Sequence, residues 1–190
     1  MKGIDIYLID QILKDRYTPG ETILDAGGGG GRNLKWFLQE GFEVIIQDID
    51  PERELQVQEK YPEAKYRWMT EELSELSLKS NSVDHVICNA VLHFAKDRRH
   101  FDQMLDQLVR VCRSGGSIFI RTNCIFGVED SIKSIGDGWY NLPDESDRFL
   151  IDAEIFDAIK NDPRFELGEI PKWTSVNGLR VMMTLVLIVK

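Results

Sequence analysis

The sequence predicts an α/β fold: a mostly parallel sheet with helices on both faces. Three observations carry that reading. The chain has 190 residues, the size of one domain with room for a substantial core. Short apolar runs alternate with amphipathic segments between residues 21 and 122, and five consecutive glycines, Gly27 to Gly31, follow the first apolar run directly. Alternation implies parallel strands, because these need crossover connections, which are right-handed. In such sheets ligands bind at the carboxyl ends of the strands, where the glycines lie.

The elements follow in order. Ile9, Ile12 and Leu13 mark a helix ending before Thr18-Pro19-Gly20. TILDA, residues 22–26, is the first strand, and Leu34, Phe37 and Leu38 repeat at helical spacing until Gly41 closes that helix. VIIQD, residues 44–48, is the second strand; Asp50 caps the next helix and Pro51 sits in its first turn. KYRWM (65–69) and VDHVICNA (83–90) give the third and fourth strands. Phe101, Leu105, Leu108, Val109 and Cys112 share the face of a helix that Gly115-Gly116 ends before the fifth strand, SIFIRT (117–122). Residues 123–149 lose periodicity and form a long connection of the kind that usually has a job. Asp152 caps a helix over 153–160, and the tail supplies two last strands, most simply an antiparallel hairpin turning at Asn177-Gly178.

Composition narrows the partners. With 32 acidic and 23 basic residues the formal charge is −9, which disfavours nucleic acid and anionic membranes. The basic runs KDRRH (96–100) and RVCR (110–113) read as solvated helix faces. Three cysteines, Cys88, Cys112 and Cys124, lack CxxC spacing and fit free thiols in a reducing compartment. The first residues read as no signal peptide, and the longest apolar run, VMMTLVLIV, has nine residues where a membrane span needs about 20. A single cytoplasmic domain is the expectation. No His, Cys and carboxylate cluster has metal-ligand spacing, so no metal is expected.

A glycine turn between strand and helix permits positive φ and lets a ligand touch the main chain. A phosphate-binding P-loop needs Lys then Ser or Thr after its last glycine, and Arg32-Asn33 stands there. The dinucleotide pattern GxGxxG needs glycine at 32 or 33 and fails at both. What fits is Asp25-x-Gly27-x-Gly29-x-Gly31. A carboxylate at that strand end repels phosphate and attracts an amine.

ILDAGGGGGRNL, VIIQDIDP, SVDHVICNAVLHF and LVRVCRSGGSIFIRT, in this order between residues 23 and 122, resemble the class I S-adenosylmethionine-dependent methyltransferases, in particular the small-molecule enzymes of the type 11/25 group. One departure is Gly28, where many relatives carry cysteine. The resemblance implies a three-layer α/β/α Rossmann-like fold with a seven-stranded sheet in the order 3-2-1-4-5-7-6 and a C-terminal antiparallel hairpin. It implies S-adenosylmethionine as cofactor and a small-molecule methyl acceptor. Asp25, Ala26, Gly27, Gly29 and Gly31 would hold the methionine end, with Arg32 either pairing with the cofactor carboxylate or facing solvent. Asp48, with Ile49 beside it, would take the ribose hydroxyls, Asp50 being the competing carboxylate. Near the adenine the candidates are Thr70, Glu71 and Glu72; Asn89 and Ala90 would sit beside the methionine moiety.

Methyl transfer from a sulfonium is an in-line displacement for which the protein mainly aligns the partners, and a base is needed only if the acceptor must lose a proton. His93 is the candidate base, with a structural role in the turn as its alternative; His85 reads as a sheet residue and His100 as exposed. The acceptor pocket should be roofed by the N-terminal helix, with Tyr7, and by the connection after strand five, with Arg121, Asn123, Phe126, Trp139 and Tyr140. The Asn/Asp-Pro-Pro-aromatic motif common in nucleic-acid methyltransferases is missing after strand four. The rival readings are a cofactor-binding module without catalysis and a nicotinamide-dependent oxidoreductase.

Overall fold

Strand β1 (Thr22–Ala26), buried along its whole length, forms the middle of the sheet. A computed structural model describes residues 3–190 of the chain. In it β1 pairs in parallel with β2 (Glu43–Asp48) on one side and β4 (Val83–Asn89) on the other. β3 (Arg67–Thr70) extends the sheet beyond β2 and β5 (Cys112–Cys124) beyond β4, both in parallel. β11 (Arg180–Val189) then runs antiparallel to β5 and carries β10 (Lys172–Val176) and the short β9 (Phe165–Leu167), both antiparallel to it. The order is β10-β11-β5-β4-β1-β2-β3 with β9 as an eighth strand. Seven of these strands follow the expected 3-2-1-4-5-7-6, with β11 in the seventh place and β10 in the sixth, whereas the tail, expected to give two strands, gives three, the three-residue β9 being the extra one.

Side chains alternate across a strand, so successive residues feed two cores. Ile23, Ile46, Ile87, Phe119 and Val186 pack under helices α1 (Ile6–Leu13), α2 (Lys35–Gln39) and α3 (Glu52–Lys60) through Leu8, Ile12, Phe37 and Val57. Leu24, Val86, Ile118 and Leu185 face the other way, onto α4 (Arg98–Val111) and α5 (Ala153–Lys160) through Phe101, Leu105, Leu108, Ile155 and Ile159. Three layers result. The Asp152 carboxylate accepts the Ile155 amide at 2.8 Å as the cap of α5. Asp50 accepts the Glu52 amide at 3.0 Å at the start of α3.

Four expectations are corrected. The buried face of α1 is Leu8, Gln11 and Ile12, continued by Ile4, whereas Leu13 is exposed; the i, i+4 row, not the Ile12-Leu13 pair, meets the sheet. α4 ends at Val111, and Cys112 already belongs to β5. Gly115-Gly116 therefore do not stop the helix. They serve the irregular start of β5, where a Cβ on Gly116 would lie 2.2 Å from the Asp84 carbonyl oxygen. The connection over 123–149 is not irregular throughout: β6 (Lys133–Gly136), β7 (Trp139–Asn141) and β8 (Asp147–Phe149) form a separate antiparallel meander. Its strands are three or four residues long, too short for period-two patterning to show in the sequence.

Candidate active site

The glycine loop separates two jobs. Gly27, Gly29 and Gly31, the three positions of the acidic-x-Gly-x-Gly-x-Gly pattern, all have positive φ, at 71°, 52° and 68°. A Cβ on Gly27 would overlap Val91 at 2.3 Å, and one on Gly31 would press on Tyr61, Leu34 and Val57 at 3.1–3.2 Å. Around Gly29 nothing lies within 4 Å of that position. Gly27 and Gly31 are bare because protein packs there; Gly29 is bare beside open space.

That space is a cavity of about 510 Å³ lined by Gly27, Gly29, Asp48, Ile49, Glu72 and Ala90 together with residues of the segment after β4. Asp48 closes the turn: its Oδ2 accepts the Gly29 amide at 2.8 Å and its Oδ1 the Asp50 amide at 3.0 Å. Gln47, buried beside it, accepts the Gly27 amide at 3.0 Å and donates to the Glu71 carbonyl. Ala90 holds φ at +65°, a strained value for a residue with a Cβ, fixed by its amide donating to the Arg121 carbonyl at 2.7 Å.

Of the three adenine-side candidates the cavity takes Glu72. Thr70 accepts the Trp68 indole N–H at 2.9 Å, and Glu71 accepts the Ser77 amide at 3.0 Å. His100, expected to be exposed, is half-buried in the first turn of α4 and lines the cavity. Its Nδ1 accepts the Lys96 amide at 3.0 Å, so in the neutral ring the proton sits on Nε2, 3.8 Å from a Glu72 oxygen. Gln47, Val91, Phe94, Lys96, His100 and Met104 were missed by the sequence reading. Only Gln47 carried a signal, as an amide inside the apolar run of β2.

Asp25 is 2% exposed, and its Oδ2 has no hydrogen-bond partner among the described residues. Burial pushes its carboxyl up to about 7, the nearby Arg32 opposing and Asp48 reinforcing that shift. Ala26 is buried at the end of β1. Arg32, itself exposed, donates to Asn89 Oδ1 at 2.9 Å, leaving Asn89 Nδ2 buried and unpartnered. Ile49 is 62% exposed on the cavity rim.

The expected acceptor residues fall into three groups. Tyr7 of α1 meets Arg121 of β5, with Asn123 two residues further along that strand on the same face: Arg121 Nε is 3.2 Å from Asp5 Oδ2, and its guanidinium sits 4.5 Å from the centre of the Tyr7 ring. Phe126 packs on the opposite face, its ring 5.7 Å from Phe156 and 5.5 Å from Trp173. Trp139 and Tyr140 belong to β7, and the Trp139 indole N–H donates to the Lys96 carbonyl at 2.9 Å, bracing the cavity wall from outside. His93 is buried, Nδ1 3.5 Å from Thr122 Oγ1, and is not among the cavity-lining residues. Burial and the charges of Arg148 and Arg180 push its imidazole down to about 4. Cys88, Cys112 and Cys124 are buried free thiols, all raised by burial.

A methyltransferase-domain family model matches residues 24–120, from the middle of β1 into β5 and just over half of the chain. The chain belongs to this methyltransferase family. The chain is 26% identical over 153 residues to phosphoethanolamine N-methyltransferase 1 of Triticum aestivum, covering 78% of this chain and 30% of that protein. It is 27% identical over 127 residues to malonyl-[acyl-carrier protein] O-methyltransferase of Serratia marcescens, covering 67% of this chain and 46% of that one. The chain thus spans less than half the length of these curated relatives. In fold it is similar to 1,6-didemethyltoxoflavin-N1-methyltransferase of Burkholderia thailandensis, crystallised with bound 1,6-didemethyltoxoflavin and S-adenosylhomocysteine, at a TM-score of 0.70 and 17% identity, covering 96% of this chain and 76% of that one. Among the described residues of the methyltransferase domain, no helix is long and apolar enough to cross a membrane.

Proposed function

We propose that this chain transfers a methyl group from S-adenosylmethionine to a small-molecule acceptor. The observation that carries the reading is the pairing of an open cavity beside Gly29 with two buried, unpartnered polar atoms, Asp25 Oδ2 and Asn89 Nδ2, next to the same loop. Buried polar atoms normally have partners, and an orphan acceptor and an orphan donor suit the ammonium and carboxylate of an amino-acid tail. The cofactor supplies a methyl group already activated on a sulfonium. The donor set fits it.

In this reading Asp25, Ala26, Gly27, Gly29, Gly31, Arg32, Asn89 and Ala90 hold the methionine end, with Arg32 available to the tail carboxylate. Asp48, braced by two backbone amides, presents its remaining lone pairs to the ribose hydroxyls, with Ile49 against the sugar. Glu72 accepts from the adenine amino group, while Thr70 and Glu71 support the turn that carries it. Tyr7, Arg121 and Asn123 face the acceptor, and Phe126, Trp139 and Tyr140 shape the surrounding walls.

His93 serves as a positioning residue for Thr122 and the turn after β4. A buried imidazole titrating at about 4 is a poor proton acceptor from an amine or alcohol near neutrality. Replacing it by Gln should cost stability and leave methyl transfer largely intact on an identified acceptor; loss of turnover with the fold intact would restore it as the base.

The named relatives act on nitrogen and on oxygen, so the acceptor atom stays open within this proposal. Incubation with S-adenosylmethionine and pools of small polar metabolites, followed by detection of S-adenosylhomocysteine, tests the activity. Cofactor binding without turnover by any pool would favour a non-catalytic binding module instead.

A further inference from the structure

Beneath α1 the sheet presents a polar row where the apolar pattern stops. Asn89, Arg121, Thr184 and Lys172 are register partners across β4, β5, β11 and β10, so they share one face, and Asn123 stands two residues further along β5 on that same face. Lys172 turns to Asp10 and Glu169, which leaves Arg121 as the cation of the row. Arg121 donates to Thr184 Oγ1 at 3.3 Å and stacks on Tyr7. Its counter-charge, Asp5, comes from the N-cap of α1, and both side chains are only about one-tenth exposed. Two buried atoms here have no partner among the described residues: Asn89 Nδ2, a donor, and Asn123 Oδ1, an acceptor.

With Asn89 Nδ2 given to the cofactor tail, Asn123 Oδ1 is the buried acceptor left open beside the guanidinium, and the two together describe a ligand more specifically than the guanidinium alone. Reaching them requires α1 to shift, because Asp5, Tyr7 and the bond from the Asp5 amide to Asn33 Oδ1 at 3.1 Å close the row. Shifting α1 strips Arg121 of Asp5. A neutral acceptor would then leave a buried charge unpaired, which is strongly unfavourable, whereas an acceptor with its own anion restores the pair.

We propose that this row is the acceptor subsite and that the acceptor is a small molecule bearing a carboxylate, which takes the place of Asp5 at Arg121. This rests on the methyl-transfer reading and adds the chemical class of the substrate. Bound so, the acceptor's carboxylate meets Arg121, and a hydroxyl or amine hydrogen on the same molecule donates to Asn123 Oδ1. Asp5 is the resting occupant and α1 the element that exchanges it.

The test uses acetate as the probe on Asp5→Asn. Asparagine caps a helix as well as aspartate, so α1 keeps its start while Arg121 loses its charge partner. Acetate and its neutral counterpart acetamide are titrated into cofactor-free wild type, Asp5→Asn and Asp5→Asn/Arg121→Gln, following the Arg121 Nε–H resonance and the thermal midpoint. Acetate should bind Asp5→Asn about tenfold or more tightly than wild type and move that resonance, the size expected for one charge-assisted contact. Acetamide should not bind, and the double variant should lose the effect. Acetate binding that is no tighter in Asp5→Asn, or that survives Arg121→Gln, overturns the proposal. If the asparagine variant folds poorly, Asp5→Ser, an equally competent cap, is read by the same criteria. Because S-adenosylhomocysteine binding to wild type is measured separately, failure of the cofactor reading and failure of the carboxylate subsite are told apart.

Discussion

Asp48 Oδ2 accepts the Gly29 amide at 2.8 Å, so the carboxylate proposed to hold the ribose is also the brace of the glycine turn. Removing it does two things at once: it takes away two ligand acceptors and frees an amide beside the cavity. Hydrogen bonds to a charged group are worth about 1.5–3 kcal/mol each. Losing both should cost about 3 kcal/mol or more, so Asp48→Ala should weaken S-adenosylhomocysteine binding by roughly a hundredfold or more in calorimetry. Asp48→Asn, which keeps one acceptor, should fall between. Unchanged affinity in both would move the ribose to another carboxylate.

The glycine turn makes a second, sharper prediction because its positions differ in cause. Gly27→Ala drives a methyl group to 2.3 Å from Val91 Cγ2 and should lower thermal stability clearly. Gly29→Ala meets no atom within 4 Å, and its cost is the left-handed backbone, about 1–2 kcal/mol. It should leave a folded protein with impaired cofactor binding. Circular-dichroism melts alongside titrations separate the two; equal loss of stability in both variants would contradict the division of labour.

Burial of Asp25 predicts a pH signature. Its folded value, about 7, lies above the ordinary aspartate value near 3.8. Between those values the native state keeps a proton that the unfolded chain has released. Stability should then fall as pH rises through this window, by at most about 1.4 kcal/mol per unit from this group, and level off above about 7. A ligand ammonium favours the carboxylate, so cofactor affinity should rise with pH over the same window and then flatten. Asp25→Asn should remove both slopes in denaturant titrations and calorimetry at a series of pH values. Slopes that persist would assign the proton elsewhere.

Much of this was legible in the sequence because the physics involved is local. TILDA and VIIQD are apolar runs that carry a carboxylate at or next to their last residue, and the parallel pairing of β1 with β2 sets Asp25 and Asp48 at the same edge of the sheet. The alternate glycines announced positive φ, and Asp152 announced α5 through its capping bond. What stayed hidden depends on contacts distant in sequence. His100 reads as a surface residue until Lys96 and Glu72 converge on it, and nothing local to Asp5 marks it as the partner of Arg121, 116 residues away. The meander's strands are too short for their alternation to stand out from a loop, and their place beside the cavity rests on single bonds such as that from Trp139 to the Lys96 carbonyl.

That bond gives a further prediction. Trp139→Phe keeps the ring and removes the indole donor, leaving the Lys96 carbonyl without this partner. Stability should drop by about 1 kcal/mol, and cofactor affinity should fall a few-fold as the wall holding Phe94 and Lys96 loosens. Hydrogen exchange of the amides over 91–97 should speed up in the variant. Unaltered exchange there would mean that the meander does not brace the cavity.

The central claim is that bare main chain after β1 receives an amino-acid tail in front of Asp25. Calorimetric titration of the wild-type protein with S-adenosylhomocysteine, and separately with NAD, tests it most directly. The account predicts saturable one-to-one binding of S-adenosylhomocysteine that Asp25→Asn and Asp48→Ala weaken, and no binding of NAD. No heat with S-adenosylhomocysteine, or saturable binding of NAD in its place, would contradict it.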